Sequence, residues 1–80
     1  MKNPLKKYRE RQRLRQLDLA LLLGISEMSV SHWERGARTP SEEMLTKLSE
    51  ILKVDLETLD RELTSFYERK REELTNKLGL

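Results

Sequence analysis

Apolar residues recur every three or four positions along most of the chain, which is the spacing that one face of an amphipathic helix requires. Glycine, proline and N-capping residues interrupt this pattern between most of the segments. The pattern predicts five helices, at about residues 4–13, 16–23, 27–35, 40–52 and 56–77. No connection between them is long enough to separate two domains, and no segment repeats.

The ends of the predicted helices carry residues with known preferences. N-capping side chains precede three of the helices, at Asn3, Ser26 and Asp55. Gly24 and Gly36 stand just past a helix, where a left-handed residue often ends it. Residues 39–42 predict a capping box for the fourth helix, with Thr39 as its N-cap and a proline at the first helical position.

Composition limits both the fold class and the chemistry. Sixteen leucines stand against four valines and isoleucines, so we expect an all-α protein. With no cysteine and one histidine, neither a disulfide framework nor a cysteine or histidine metal site is expected. The longest apolar run, residues 19–23, is far too short for a membrane span, and no signal peptide is recognisable. We expect a single cytoplasmic domain with no cofactor, no room for a small-molecule effector and no enzymatic activity.

The charges are unevenly distributed along the chain. Residues 1–38 carry a net charge of +5, whereas residues 39–80 carry −3. Such an asymmetry indicates that one end faces a polyanion and the other faces solvent or protein. A solvated basic surface with no ligand has the same charge distribution, so charge alone does not distinguish the two interpretations. The spacing of the residues has to distinguish them.

The second and third predicted helices have the residue types of a helix-turn-helix. The small Ala20 allows the two helices to approach closely, and Gly24 supplies the positive φ of the turn. Ile25, Val30 and Trp33 anchor the third helix from one side. The free side then carries side chains able to reach base edges in a major groove: Glu27, Met28, Ser31 and His32.

Several residues recur together at fixed spacing in this region: Arg9, Gln16, Leu19, Ala20, residues 23–26, Val30, Ser31, residues 33–36 and Pro40. In this combination the chain resembles the lambda-repressor/Cro (XRE-like) type of bacterial and phage helix-turn-helix regulator, over about residues 4–60. The resemblance implies a compact five-helix DNA-binding domain, here with an extended C-terminal helix. It also implies a transcriptional regulator, most often a repressor, that binds a specific double-stranded DNA sequence.

The resemblance further implies a role for each matching position. Base reading falls to the outward side of the third helix, at Glu27, Met28, Ser29, Ser31 and His32. Phosphate contacts fall to Arg15, Gln16, Ser26, Arg35 and Arg38. Arg9 and Glu34 match an ion pair between the first helix and the end of the third, with a mainly architectural role. Because a carboxylate only accepts hydrogen bonds, Glu27 favours cytosine or adenine, and Met28 suits a thymine methyl.

The C-terminal residues depart from the family pattern, since the chain continues beyond the usual fifth helix. We divide the chain into a DNA-binding domain, residues 1–62, and a helical extension, residues 63–80. Leu63, Phe66, Tyr67 and Leu74 are interpreted as a homodimerisation element. Alternatively, this helix packs onto an apolar strip of its own chain that carries leucines where the family has polar residues: Leu17, Leu21 and Leu22.

Dimerisation fits the expected mechanism, because one recognition helix reads too few base pairs to select a site. Two copies related by a two-fold axis read half-sites about 34 Å apart on a palindromic operator. A second hypothesis is a protein-interaction module of the same fold, such as an antitoxin that neutralises a partner protein. That reading uses the exposed leucines and the acidic C-terminal half instead.

Overall fold

The computed structural model describes residues 3–80 and contains five α-helices and no strand in that range. The all-α prediction is therefore confirmed. The helices are α1 (Pro4–Arg11), α2 (Gln16–Leu23), α3 (Glu27–Arg35), α4 (Glu42–Leu52) and α5 (Leu56–Leu78). The α2 and α3 helices pack against each other, and the long α5 packs on α1 and α4.

Most helix ends follow the local signals in the sequence. The Asn3 side chain accepts a hydrogen bond from the Leu5 backbone N–H at 2.7 Å, which caps α1. Ser26 and Asp55 cap α3 and α5 in the same way. Gly24 ends α2 with φ of 70°, a left-handed conformation that a glycine adopts without a steric penalty.

Two helix boundaries differ from the prediction. The α1 helix ends at Arg11, two residues early, because Arg13 adopts a left-handed φ of 57° and the Leu14 N–H donates back to the Arg9 carbonyl at 3.2 Å. The predicted cap of α4 at Thr39 is wrong. Ser41 is the N-cap and accepts from the Met44 N–H at 3.2 Å, so the proline remains outside the helix.

One apolar cluster with contributions from all five helices forms the core. Its side chains are Leu5, Tyr8, Leu19, Ala20, Leu23, Val30, Trp33, Leu48, Leu52, Leu59 and Leu63. Each of these is less than one-tenth exposed. The cluster holds α2 and α3 as a rigid pair against the other helices, and this fixes the orientation of α3.

The α5 helix runs without a break through the predicted boundary between residues 62 and 63. Leu63 is 3% exposed and belongs to the core, so its predicted part in a dimer surface is wrong: its side chain is already buried by its own chain. Beyond Tyr67 the situation changes. Every residue of the distal part of α5, residues 68–78, is exposed except for the partly buried Thr75.

The apolar strip on α2 remains uncovered. Leu17, Leu21 and Leu22 are 42%, 72% and 60% exposed. The alternative interpretation, in which α5 folds back onto these leucines, is therefore wrong. The α5 helix instead fills the space beside α1 and α4, where its apolar residues have closer partners.

Candidate nucleic-acid interface

The turn between α2 and α3 is short and tightly bonded. The Ile25 N–H donates to the Ala20 carbonyl at 3.0 Å across the left-handed Gly24. Ala20 is 1% exposed, so its methyl group is the spacer between the two helices. This arrangement is the helix-turn-helix that the sequence predicts, with α3 as the second helix.

The two sides of α3 differ sharply in exposure. Val30 is fully buried and Trp33 is 6% exposed, so the inward side is anchored in the core. On the opposite side Glu27 is exposed and Met28 is 60% exposed. The other residues predicted to read bases, Ser29, Ser31 and His32, are partly exposed. The structure thus brings all five onto the first two turns of one helix, accessible from outside.

The beginning of α3 is fixed by its N-cap Ser26 together with Ser29. Ser26 Oγ accepts from the Ser29 N–H at 3.2 Å, and the two hydroxyl oxygens lie 3.0 Å apart. The Ser29 hydroxyl is therefore engaged with Ser26 rather than directed to solvent alone. An exposed helix N-terminus with a hydroxyl beside it suits a phosphate oxygen, because the first N–H groups of a helix lack helical partners.

The predicted ion pair between α1 and α3 is present and buried. Arg9 Nε and Nη2 donate to the two carboxylate oxygens of Glu34 at 2.6 and 3.0 Å. Arg9 Nη1 also donates to the Leu14 carbonyl at 2.7 Å. The hydrogen bonds that Arg9 donates to Glu34 raise the pKa of Arg9 above its ordinary value. Because both groups are buried, the pair fixes α1, the chain after it and the end of α3 in one geometry.

Gln16 belongs to the same polar network. Its side-chain Nε2 donates to Glu34 Oε1 at 3.2 Å, which links the first residue of α2 to α3. The sequence predicts that Gln16 contacts a DNA phosphate, but it does not predict this bond to Glu34. Its amide group is thus held in place at the exposed start of α2, beside the open N–H groups of that helix.

Arg15, the N-cap residue of α2, is paired with Asp18. The guanidinium donates to both carboxylate oxygens at 3.1 and 2.9 Å, and the Arg15 backbone N–H donates to the same carboxylate at 2.8 Å. These hydrogen bonds lower the pKa of Asp18 and keep it ionised. Arg15 lies on the expected surface, but a neighbouring negative charge offsets its own.

The loop after α3 presents the remaining predicted phosphate contacts. Arg35 and Arg38 are both exposed. The Ala37 and Arg38 N–H groups donate to the His32 carbonyl at 2.9 and 3.3 Å, so the loop wraps the helix end tightly. Gly36 permits this with φ of 78°.

Two residues hold the end of α3 through contacts that the sequence did not predict. The Trp33 carbonyl accepts from Asn3 Nδ2 and from the Tyr67 hydroxyl, both at 3.1 Å. Burial raises the pKa of Tyr67 to about 12, so this hydroxyl remains a donor across the physiological range. Asn3 was expected only as a cap and Tyr67 only as a dimer contact. Both bonds span more than 25 positions in sequence, and no local pattern indicates them.

Within residues 3–80, no group of three or more His, Asp or Glu residues is arranged to hold a metal ion. None of the helices formed by residues 3–80 is long and apolar enough to cross a membrane. What the surface does offer is one anchored helix with exposed polar and apolar side chains, bordered by arginines.

Comparison with known proteins agrees with this geometry. A family model described as helix-turn-helix, of the XRE/lambda-repressor type, matches residues 5–59, which include α1 apart from its first residue, α2 to α4 and the beginning of α5. Searches of the curated proteins and of the solved structures found no match. Members of the matched family are DNA-binding regulators. The chain belongs to the helix-turn-helix family of the XRE/lambda-repressor type.

Proposed function

We propose that this protein is a sequence-specific transcriptional repressor that binds a palindromic operator as a homodimer. The observation that carries the proposal is the asymmetry of α3, which buries Val30 and Trp33 while Glu27 and Met28 remain open to solvent. A helix held in this way can enter a major groove of about 12 Å width without disturbing the core. Repression follows from steric exclusion of polymerase at the occupied promoter.

In this proposal, base reading and backbone contact are separate tasks. Glu27 accepts from a cytosine or adenine amino group, and Met28 covers a thymine methyl, with His32 and the two serines of α3 in support. Arg35, Arg38, Gln16, Ser26 and Arg15 contact phosphates and supply the affinity that falls with salt. Of these, Arg35 and Arg38 form no ion pair with an acidic side chain within residues 3–80, so their charge is available to DNA.

The dimer in this proposal uses the distal part of α5. Leu74 and Leu78 on this part, and Leu80 just beyond the end of the helix, are 51%, 68% and 87% exposed. At 100° per residue, Leu74 and Leu78 continue the side of the helix that carries Tyr67, so they form an apolar strip that leaves the globule. Residues 63–80 thus remain the proposed dimerisation element, in which Leu74 is retained and Leu78 takes the place of the buried Leu63.

Sedimentation equilibrium of matched variants tests the dimer. We expect Leu74→Glu to shift the protein to monomer and to weaken operator binding strongly. Asn76→Glu is the control, since it adds the same charge two residues away, on nearly the opposite side of α5. A wild-type protein that is monomeric at every concentration and still binds its operator tightly refutes the homodimer.

Selection of bound sequences from random duplexes tests the DNA specificity. The selected site is expected to be a palindrome whose half-site centres lie one helical turn apart. Met28→Ala and Glu27→Ala should each change the preferred base, by about 1–3 kcal/mol of discrimination. Leu22→Ala is the matched control, because Leu22 is as exposed as Met28 but lies on α2. If both α3 variants select the wild-type sequence, α3 does not read bases.

The uncovered leucines of α2 support a second candidate function, a module that binds a partner protein as an antitoxin binds its toxin. Three exposed leucines on one short helix form an apolar surface of the kind that partner proteins cover. Co-expression with the product of the adjacent gene tests it. A stoichiometric complex that Leu21→Glu disrupts supports this candidate, whereas a complex that forms unchanged with this variant contradicts it.

A further inference from the structure

A basic groove separates the loop after α3 from the distal part of α5. Arg38 lines it from the loop, and Lys70 and Arg71 line it from α5. Gly36, Tyr67 and Leu74 also line it. Leu74 lies one helical turn beyond Lys70, so the apolar strip of the proposed dimer begins at the outer end of the groove. The groove lies outside the positions matched by the family model on its α5 side, because that match ends at residue 59.

The two walls of the basic groove are held in a fixed relation. The Tyr67 hydroxyl donates to the Trp33 carbonyl, which ties α5 to the last turn of α3. The residues of α5 on either side of Tyr67 also approach Gly36. The position that a Cβ would occupy on Gly36 lies 3.3 Å from Phe66 Cε1 and 3.7 Å from Lys70 Cγ. Lys70 is therefore positioned by packing against the end of the recognition helix, and Arg71 follows it on the same helix.

The charges in the basic groove are not neutralised. Within residues 3–80 neither Arg38, Lys70 nor Arg71 forms an ion pair, and none of the residues that line the groove is acidic. Elsewhere on the globule, cations such as Arg9 and Arg15 are paired with carboxylates. Three like charges around one groove repel each other, and an anion bound between them relieves that repulsion.

We infer that the basic groove binds the phosphate backbone of duplex DNA, so that Lys70 and Arg71 extend the contact surface of the helix-turn-helix. This inference rests on the proposed function. The occupant is DNA because Arg38 is joined directly to α3 by the loop 36–39, and the backbone that flanks the occupied major groove passes this end of the helix. Lysine and arginine are the side chains that bind phosphate oxygens most strongly.

The role of these cations is to supply affinity without sequence preference. Phosphate contacts carry no base information, so the basic groove strengthens operator and non-operator binding alike. An acidic segment of a second copy, such as the one containing Glu72 and Glu73, is the competing occupant. The salt dependence of DNA binding and the oligomeric state separate the two.

The test is the salt dependence of binding to the selected operator and to a scrambled duplex. We expect Lys70→Gln/Arg71→Gln to weaken binding to both duplexes by similar factors. The slope of log K against log salt should decrease by about 0.9 for each lost phosphate contact, hence by about 2 per protomer. The control is Lys47→Gln/Arg61→Gln, which removes the same charge from exposed positions outside the groove and should keep the wild-type slope.

The outcomes distinguish this inference from the proposed function. A wild-type protein that prefers no duplex sequence refutes the proposed function itself. A wild-type protein that selects its operator, with equal slopes for the groove variant and the control, overturns the inference alone. It is also overturned if the groove variant loses the dimer in sedimentation while its salt slope is unchanged, since the groove then holds the second copy.

Discussion

The two parts of α5 each carry two leucines four residues apart, but those leucines have opposite surroundings. In the proximal part, residues 56–67, Leu59 and Leu63 are buried in the core. In the distal part, Leu74 and Leu78 are more than half exposed. Both parts form one unbroken helix. The contrast shows that helix formation is decided locally, whereas the energetic role of a leucine depends on which element packs against it.

The largest difference is expected when one leucine from each part is shortened. Leu59→Ala removes a fully buried side chain and should lower the free energy of unfolding by about 2–5 kcal/mol. Leu74→Ala should change it by less than about 0.5 kcal/mol, since its side chain leaves no cavity. Chemical denaturation at a protein concentration below that of dimer formation measures both. Equal losses would contradict the division of α5 into a core part and a free part.

Gly36, at the end of α3, contacts α5 close to the residue where its two parts meet. Gly24, at the end of α2, provides the control. Both glycines are left-handed, at φ of 78° and 70°. Gly24→Ala adds a methyl group in open space and should cost about 1 kcal/mol of strain. Gly36→Ala adds the same strain and places its Cβ 3.3 Å from Phe66 Cε1, which must move. We expect a larger loss for Gly36→Ala in thermal unfolding, and equal losses would mean that the α5 contact contributes little.

The helix ends and the α2–α3 turn could be predicted because their signals are local. Glycine at the ends of α2 and α3 and a capping side chain before α1, α3 and α5 each act within a few residues. The early end of α1 had no such signal, because Arg13 adopts the left-handed conformation without being glycine. At α4 two capping residues competed, and the serine nearer to the helix is the one used.

The contacts between distant segments could be predicted only where the family resemblance supplied them. The Arg9–Glu34 pair was expected on that basis and is present. The hydrogen bond from Gln16 to Glu34 was not predicted, and neither were the two hydrogen bonds that Asn3 and Tyr67 donate to the Trp33 carbonyl. Likewise, the sequence predicts Leu63 as an exposed dimer residue, whereas in the structure α5 packs on α1 and α4 and Leu63 is buried. Periodicity identifies an apolar side of a helix but not its partner.

The attachment of α5 to α3 through Tyr67 should contribute less to the free energy of unfolding than the buried Leu59 does. Tyr67→Phe removes the hydrogen bond to the Trp33 carbonyl but keeps the ring packed. The carbonyl still accepts from Asn3, so it is not left unpaired. We expect a loss of about 0.5–1.5 kcal/mol in the free energy of unfolding. Hydrogen exchange should also show faster opening beyond residue 66 of α5, and unchanged exchange there would mean that this bond does not hold the helix.

The smallest effect concerns the attachment of the proximal part of α5 to α1, and it depends on pH. Glu62 accepts from the Tyr8 hydroxyl at 2.8 Å and from Lys7 Nζ at 3.3 Å. Burial opposes ionisation of this carboxyl, but the two hydrogen bonds outweigh it and lower its pKa below 4.5. A folded-state pKa below the unfolded value stabilises the fold above about pH 4.5, and this contribution is lost as the pH falls through the lowered pKa.

The comparison of wild type with Glu62→Gln isolates this contribution. Both proteins lose stability in acid through their other carboxylates, but the wild type should lose more between pH 6 and pH 3, because the variant has no charge at this position to titrate. Thermal unfolding at a series of pH values measures the difference, and a constant difference across the range contradicts the lowered pKa. Glu72→Gln, in the exposed distal part of α5, is the control for removal of a carboxylate elsewhere on the same helix. A pH-dependent difference confined to Glu62→Gln would assign the effect to the contacts of Glu62 with Tyr8 and Lys7.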